Sequence, residues 1–201
     1  RMAVASAANK AKFAASVDDL TKKVNDLEAK VAAADKDLDK AFQEFDLAFK
    51  AKRTDANAPM TPVERSILSE MASNYNFFRR YEGAAKTWAK LIDPSKENNL
   101  SEYMLIGRAY YNAEKFKSAD SILNVVIQKS PDYLPAHAQI ARTYSRMDPD
   151  MKTGIARPKF EKYLSVAAKD SLENMTEMLE AMTYLGYYHM ENGNYTAAND
   201  Y

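Results

Sequence analysis

Residues 100–131 read LSEYMLIGRAYYNAEKFKSADSILNVVIQKSP, and this stretch decides the fold. Tyr103, Ile106, Gly107 and Tyr110 fall three and four residues apart, which places them on one face of a helix. Ala119, Leu123 and Val126 do the same on a second helix, and Pro131 stops it. The two small residues carry the geometry. Gly107 has no Cβ, so a partner helix can cross close to it, and Ala119 lets the second helix pack back onto the first. A helix pair of this size cannot bury its apolar face alone, so stacked neighbours are predicted.

The neighbours are present at a nearly constant period. Leu68, Met71, Ala72, Tyr75, Ala84, Trp88 and Leu91 repeat the pattern 35 residues upstream. His137, Ile140, Ala141 and Tyr144 follow 34 residues downstream, and their second helix, with Ala156, Phe160 and Tyr163, arrives three residues late. A fourth copy holds Met182, Leu185, Gly186, His189, Gly193, Tyr195 and Ala198.

This pattern resembles the tetratricopeptide repeat, a helix-turn-helix unit of about 34 residues. The resemblance covers residues 63–201. It implies an all-α fold, an α-solenoid of about four helix pairs, with repeats near 65–98, 100–133, 134–170 and 172–201. The last copy is incomplete at Tyr201, where an uncapped solenoid end would expose apolar surface, so a fragment of a longer protein, or its ordered part, is expected.

Composition narrows the function. Lys plus Arg number 28 and so do Asp plus Glu, so the net charge is zero and no basic surface argues for nucleic acid or anionic lipid. The absence of Cys removes disulfides, zinc-finger ligand sets and thiol nucleophiles. No apolar run reaches transmembrane length, so direct membrane insertion is not expected. The opening residues have an Ala-x-Ala flavour without the apolar stretch a signal peptide needs. The compartment stays open between an envelope or periplasmic site, which is favoured, and the cytoplasm.

Residues 1–52 form a separate region, a long helix expected over 8–52. Val17, Val24, Val31, Leu38 and Phe45 recur every seven residues, and Phe13, Leu20, Leu27, Ala34 and Ala41 recur on the adjacent row. Valine at one row and leucine at the other is the pattern of a parallel two-stranded coiled coil. Lys23 would face Glu28 of a partner chain and Lys30 would face Asp35. The oligomerisation seam is therefore Phe13, Val17, Leu20, Val24, Leu27 and Val31, giving a homo-oligomer through this helix. Docking of the same helix on its own solenoid is the alternative. The stripe widens at Phe42, Phe45 and Phe49, so the end of the helix is expected to cap the first repeat. A heptad helix ahead of a repeat array is similar in architecture to a periplasmic cell-division coordinator that binds the Tol complex and oligomerises through such a segment.

Residues 53–62 read as a linker, and Thr61, Pro62 and Glu64 mark a helix start. Residues 148–158 read as a lengthened, solvated turn, with Pro158 in the first turn of the next helix. Asp170 and Ser171 are expected to cap a helix from about Leu172 to Glu191.

Candidate chemistry is sparse. His137 and His189 both fall on core positions with no clustered carboxylate or second ligand, so no metal is expected. Asp148, Asp150 and Lys152 lack the spacing of a calcium loop. No phosphate loop, nucleophile elbow or kinase set appears, so no cofactor and no enzyme activity are expected. Asn99, Asn174 and Asn194 begin N-x-S/T triplets. The informative surface implied by the resemblance is the concave groove. The residues after the conserved small position, Ser73, Arg108, Arg142 and Tyr187, point into it, with Asn76, Tyr111, Ser145 and Met190 a turn later and Ser69, Met104, Ala138 and Thr183 a turn earlier. Arg108 and Arg142, beside Tyr111, would hold a carboxylate. Solvated arginines, or arginines paired with neighbours such as Glu70 or Glu102, are the plainer alternative. The expected function is a non-catalytic scaffold binding an acidic or extended peptide segment of a protein partner. The alternative is a structural subunit of an envelope-associated assembly, contacting through its convex face, its open end or the N-terminal helix.

Overall fold

The computed structural model describes residues 2–53, 58–93, 99–168 and 174–201; for residues 2–11 and 13 it describes the backbone alone. Two compact units result, residues 1–59 and 60–201. The first is one helix, α1 (Met2–Lys52), which starts six residues before the expected onset. No Pro or Gly interrupts it, and i,i+4 ion pairs such as Lys23–Asp19 at 2.7 Å and Lys30–Asp26 at 2.6 Å run along its solvent side.

The second unit is all helix among its described residues: α2 (Pro62–Phe77), α3 (Tyr81–Ala89), α4 (Leu100–Asn112), α5 (Phe116–Lys129), α6 (Leu134–Met147), α7 (Arg157–Ala167), α8 (Met175–Glu191) and the one-turn α9 (Tyr195–Ala198). Each packs on the next in chain order, and α4 also packs on α6. This is an α-solenoid of antiparallel pairs. The expected cap at Asp170 and Ser171 lies outside the described residues.

Local signals set the boundaries. Thr61 and Glu64 form a reciprocal capping box. The Glu64 N–H donates to Thr61 Oγ1 at 3.2 Å, and the Thr61 N–H donates to Glu64 Oε2 at 2.7 Å. Pro158 stands at the start of α7, where an N–H would have no partner anyway. The turns inside the first, second and fourth pairs share one geometry. Arg79, Glu114 and Gly193 all take positive φ, at 58°, 58° and 71°. The next residue's N–H bonds back five positions, from Arg80 to Tyr75, Lys115 to Tyr110 and Asn194 to His189. That is a left-handed helix stop, a conformation glycine takes freely and arginine and glutamate take at some cost.

Packing follows the small residues. Leu68, Ala72, Ala84, Ala119, Leu123, Val126, Ala141 and Leu185 are wholly buried. A Cβ on Gly107 would lie 2.7 Å from Leu123 Cδ2 and 2.8 Å from its Cγ, so the glycine is what allows α4 and α5 to cross at this distance. The equivalent Gly186 is different, since its nearest neighbour is the Ala198 carbonyl at 3.9 Å. One cluster joins Met104, Leu123, Val126, Ala136 and Ile140 across α4, α5 and α6. Another joins α6, α7 and α8, with Phe160 stacked on Tyr184 at 4.4 Å between ring centroids.

The turn at 148–156 is organised by a buried carboxylate rather than left to solvent. Asp148 is only 7% exposed. It accepts the Gly154 N–H at 2.8 Å and the Thr153 N–H at 3.1 Å, which closes the loop around one side chain. Burial pushes its ionisation upward, but the hydrogen bonds from Thr153, Gly154 and Lys152 outweigh it and hold the carboxyl below its ordinary range. Gly154 has φ of 65°, and a Cβ there would meet the Tyr188 ring and hydroxyl within 3 Å. The loop thus tucks under α8, which accounts for the late start of α7.

Two outcomes follow. Gly107→Ala gains about 1 kcal/mol of helix propensity but drives a methyl into Leu123, for a net loss of about 1–2 kcal/mol. Chemical denaturation should show that loss, and Leu123→Val in the same chain should recover part of it. Asp148→Asn should lower the melting temperature at pH 7. The native carboxyl ionises more readily than the unfolded one, so its contribution is full above the unfolded value of about 3.9 and is lost as pH falls below that value and through the lower native one. The gap between wild type and Asp148→Asn in thermal melts should therefore narrow progressively as pH falls below about 4.

Candidate partner-binding groove

The first helices of the four pairs, α2, α4, α6 and α8, carry the candidate groove. Cross-repeat ion pairs hold these helices side by side. Arg65 on α2 reaches Glu102 on α4 at 3.8 Å and also donates to the Leu91 carbonyl at 2.7 Å. Arg142 on α6 grips Glu180 on α8 with two nitrogens, Nε at 2.9 Å and Nη2 at 2.5 Å, and has Glu177 at 3.8 Å. The hydrogen bonds to Glu180 raise the guanidinium further above its ordinary value.

The residue after the small position is solvent-accessible in every pair, although the residue before it is buried in three. Ser73, Arg108 and Tyr187 are exposed and Arg142 is half-buried, while Ala72, Gly107 and Ala141 are buried. Ser69 and Thr183 are exposed, and Asn76, Tyr111 and Ser145 are half-buried. Ser73 donates its hydroxyl to the Ser69 carbonyl at 2.9 Å and Thr183 donates to Leu179 at 2.7 Å, so both satisfy their protons within their own helices. The Tyr111 ring leans on Phe116 at 6.1 Å.

Met104 departs from the expectation. It is 5% exposed and packs in the cluster with Leu123 and Ile140, so it belongs to the core and not to an open groove. The reason is its angular place, toward the side of α4 that meets α5 and α6. The two arginines are also unequal. Arg108 stands exposed, whereas Arg142 already holds a carboxylate of the same chain, the local pairing expected with Glu70 or Glu102 being made instead with Glu180. Sequence spacing gave no sign of this partner, because it lies 38 residues away on the next first helix. Met190, expected a turn after Tyr187, stands 51% exposed on α8, whereas Ala138, also expected in the groove, is 7% exposed and packs in the core with Phe160 and Leu185. Spacing alone did not mark Leu179, which is 65% exposed on α8.

Both histidines serve packing. His137 Nε2 donates to the Pro131 carbonyl at 2.7 Å, and His189 stacks on Tyr201 at 5.8 Å. Among the described residues no three His, Asp or Glu side chains gather as a metal site would need, and no helix is long and apolar enough to cross a membrane. Asn99 is buried and clasps Asp93 through both its amide atoms, donating at 2.9 Å and accepting at 3.2 Å, so it is not presented as a glycan acceptor.

Comparison with solved structures places this architecture. The C-terminal part of a tetratricopeptide-repeat-containing protein from Cytophaga hutchinsonii superposes with a TM-score of 0.64 at 24% identity over 80% of this chain. This chain spans 58% of that structure. Two crystal structures of MamA align at TM-scores of 0.55 and 0.54, with 16% and 17% identity, each over 83% of this chain and 85% and 80% of theirs. No family model and no curated protein matches the chain. The fold is that of the tetratricopeptide-repeat proteins, an all-α solenoid.

The Arg142–Glu180 pair is partly exposed and screened, so it contributes at most about 1 kcal/mol. Glu180→Gln should lower the unfolding free energy measured in urea by no more than that, while two-state unfolding is retained.

Proposed function

We propose that residues 60–201 form a non-catalytic scaffold that takes a segment of a protein partner along the first-helix face. The observation that supports this reading is the repeated presentation of Ser73, Arg108, Arg142 and Tyr187, each accessible on its helix, with Ala72, Gly107 and Ala141 buried just before the first three. A rigid array of this kind offers preformed side chains at little ordering cost. Arg108 suits a carboxylate of the partner. Tyr187, Leu179 and Met190 suit apolar side chains further along the same segment. Arg142 joins an acidic ligand only by exchanging Glu180 for it, so the acidic end of the segment belongs near Arg108. We further propose that the seam of α1 self-associates.

A second reading, a structural subunit buried in a larger assembly, has one observation in its favour. Met175 and Tyr195 stand 64% and 67% exposed near the last helix pair, a surface suited to burial by another subunit.

Crosslinking mass spectrometry in native cells separates the two. The groove reading expects crosslinks from a partner to α4, α6 and α8, and at least tenfold weaker capture by Arg108→Glu with Tyr187→Ala, with helical circular dichroism unchanged. Raising salt should weaken capture, since the contact to Arg108 is exposed. Full capture by the double variant, with crosslinks near Tyr195, would transfer the function to the second reading.

A further inference from the structure

The face of α1 that carries the heptad seam is exposed from Val17 to Val31. Val17, Leu20, Val24, Leu27 and Val31 are 43%, 59%, 50%, 59% and 60% exposed, and the side chain of Phe13 lies outside the described residues. Five large apolar side chains at 3,4 spacing make a narrow stripe, not the broad face of a helix docked on a domain. A stripe of this width matches the seam of a second identical helix. With Val17, Val24 and Val31 at the a positions and Leu20 and Leu27 at d, the side-chain shapes select two strands.

The flanking charges select the orientation. Lys23 and Lys30 stand at g, and Glu28 and Asp35 at e. In a parallel pair each g residue meets the e residue five positions on in the other chain, so Lys23 meets Glu28 and Lys30 meets Asp35, twice each by symmetry. In an antiparallel pair g meets g and e meets e, so neither Lys23 nor Lys30 reaches Glu28 or Asp35. The intrahelical partners of the two lysines, Asp19 and Asp26, stand at c on the outer flank. An ammonium has three donors, so it holds both its c neighbour and a cross-strand carboxylate.

Resting on the self-association reading, we infer that two copies of this chain pair in parallel and in register along residues 17–38. Both chains then leave the coil at the same end, and two repeat arrays share one tether. A partner that carries two copies of the recognised segment binds such a pair by an intramolecular second step, which raises its avidity without any new contact.

The intact chain tests this directly, and its lack of cysteine makes the test clean. Light scattering should report a mass of two chains, and Leu20→Glu with Leu27→Glu should return it to one. A single Leu20→Cys should crosslink to itself under mild oxidation. An antiparallel pair sets d against a, which separates those thiols by about 16 Å along the axis where Leu20 faces Val31 and would instead join Leu20→Cys to Val31→Cys. Lys23→Glu with Lys30→Glu should weaken association at least tenfold, and adding Glu28→Lys with Asp35→Lys should restore it. A monomeric wild-type chain defeats the self-association reading and the inference with it. Association in which Leu20→Cys fails to crosslink to itself, or a mass of three chains, defeats the inference alone.

Discussion

The structure depends on how closely two short helices can approach. A pair of about 30 residues has one apolar stripe per helix and too little surface to enclose both, so stability comes from the next pair. Close approach decides whether that stacking succeeds. At the centre of the array the backbone of α4 at Gly107 rests on Leu123, with no room for a single added carbon. Ala72, Ala119 and Ala141 do the same work at the neighbouring crossings, each fully buried. From this contact follow the antiparallel hairpins, the sequential packing and the alignment of the first helices into one face.

Where the array departs from its period, a different interaction takes over. The third pair has three extra residues between its helices, and these are gathered around the Asp148 carboxylate through backbone N–H groups. The loop then lies under Tyr188, with Gly154 supplying the left-handed turn and the missing Cβ. One buried acid and one glycine let the solenoid absorb an insertion without losing the stacking of α6, α7 and α8.

The fold was legible in the sequence because its cause is local and repeated. Small residues, aromatic spacing and turn signals recur every 34 or 35 positions, and Thr61, Pro62 and Glu64 announce a helix start within four residues. The candidate groove was legible only in part. The offset after the small residue is a helical angle, and Ser73, Arg108 and Tyr187 at that offset are exposed. The same spacing misplaced Met104, whose burial depends on how α5 and α6 close over α4. It also missed the hold of Glu180 on Arg142, because period arithmetic compares like positions, whereas this pair joins unlike positions on two helices. Asp148 escaped for a similar reason, since an acid next to Pro149 and Asp150 reads as solvated until the backbone wraps around it.

The charges along the array are spent between repeats. Arg65 with Glu102, Glu82 with Lys115, Glu114 with Arg146 and Arg142 with Glu180 each join one helix pair to the next. With a net charge of zero besides, the molecule projects little field beyond a Debye length. A partner of the proposed kind would then not be drawn in from a distance, and its encounter would proceed at the unsteered rate of about 10⁵–10⁶ M⁻¹s⁻¹. Under the proposed scaffold reading, long occupancy has to come from slow departure, which favours ligands that fill the face with shape and apolar contact over ligands that merely carry charge.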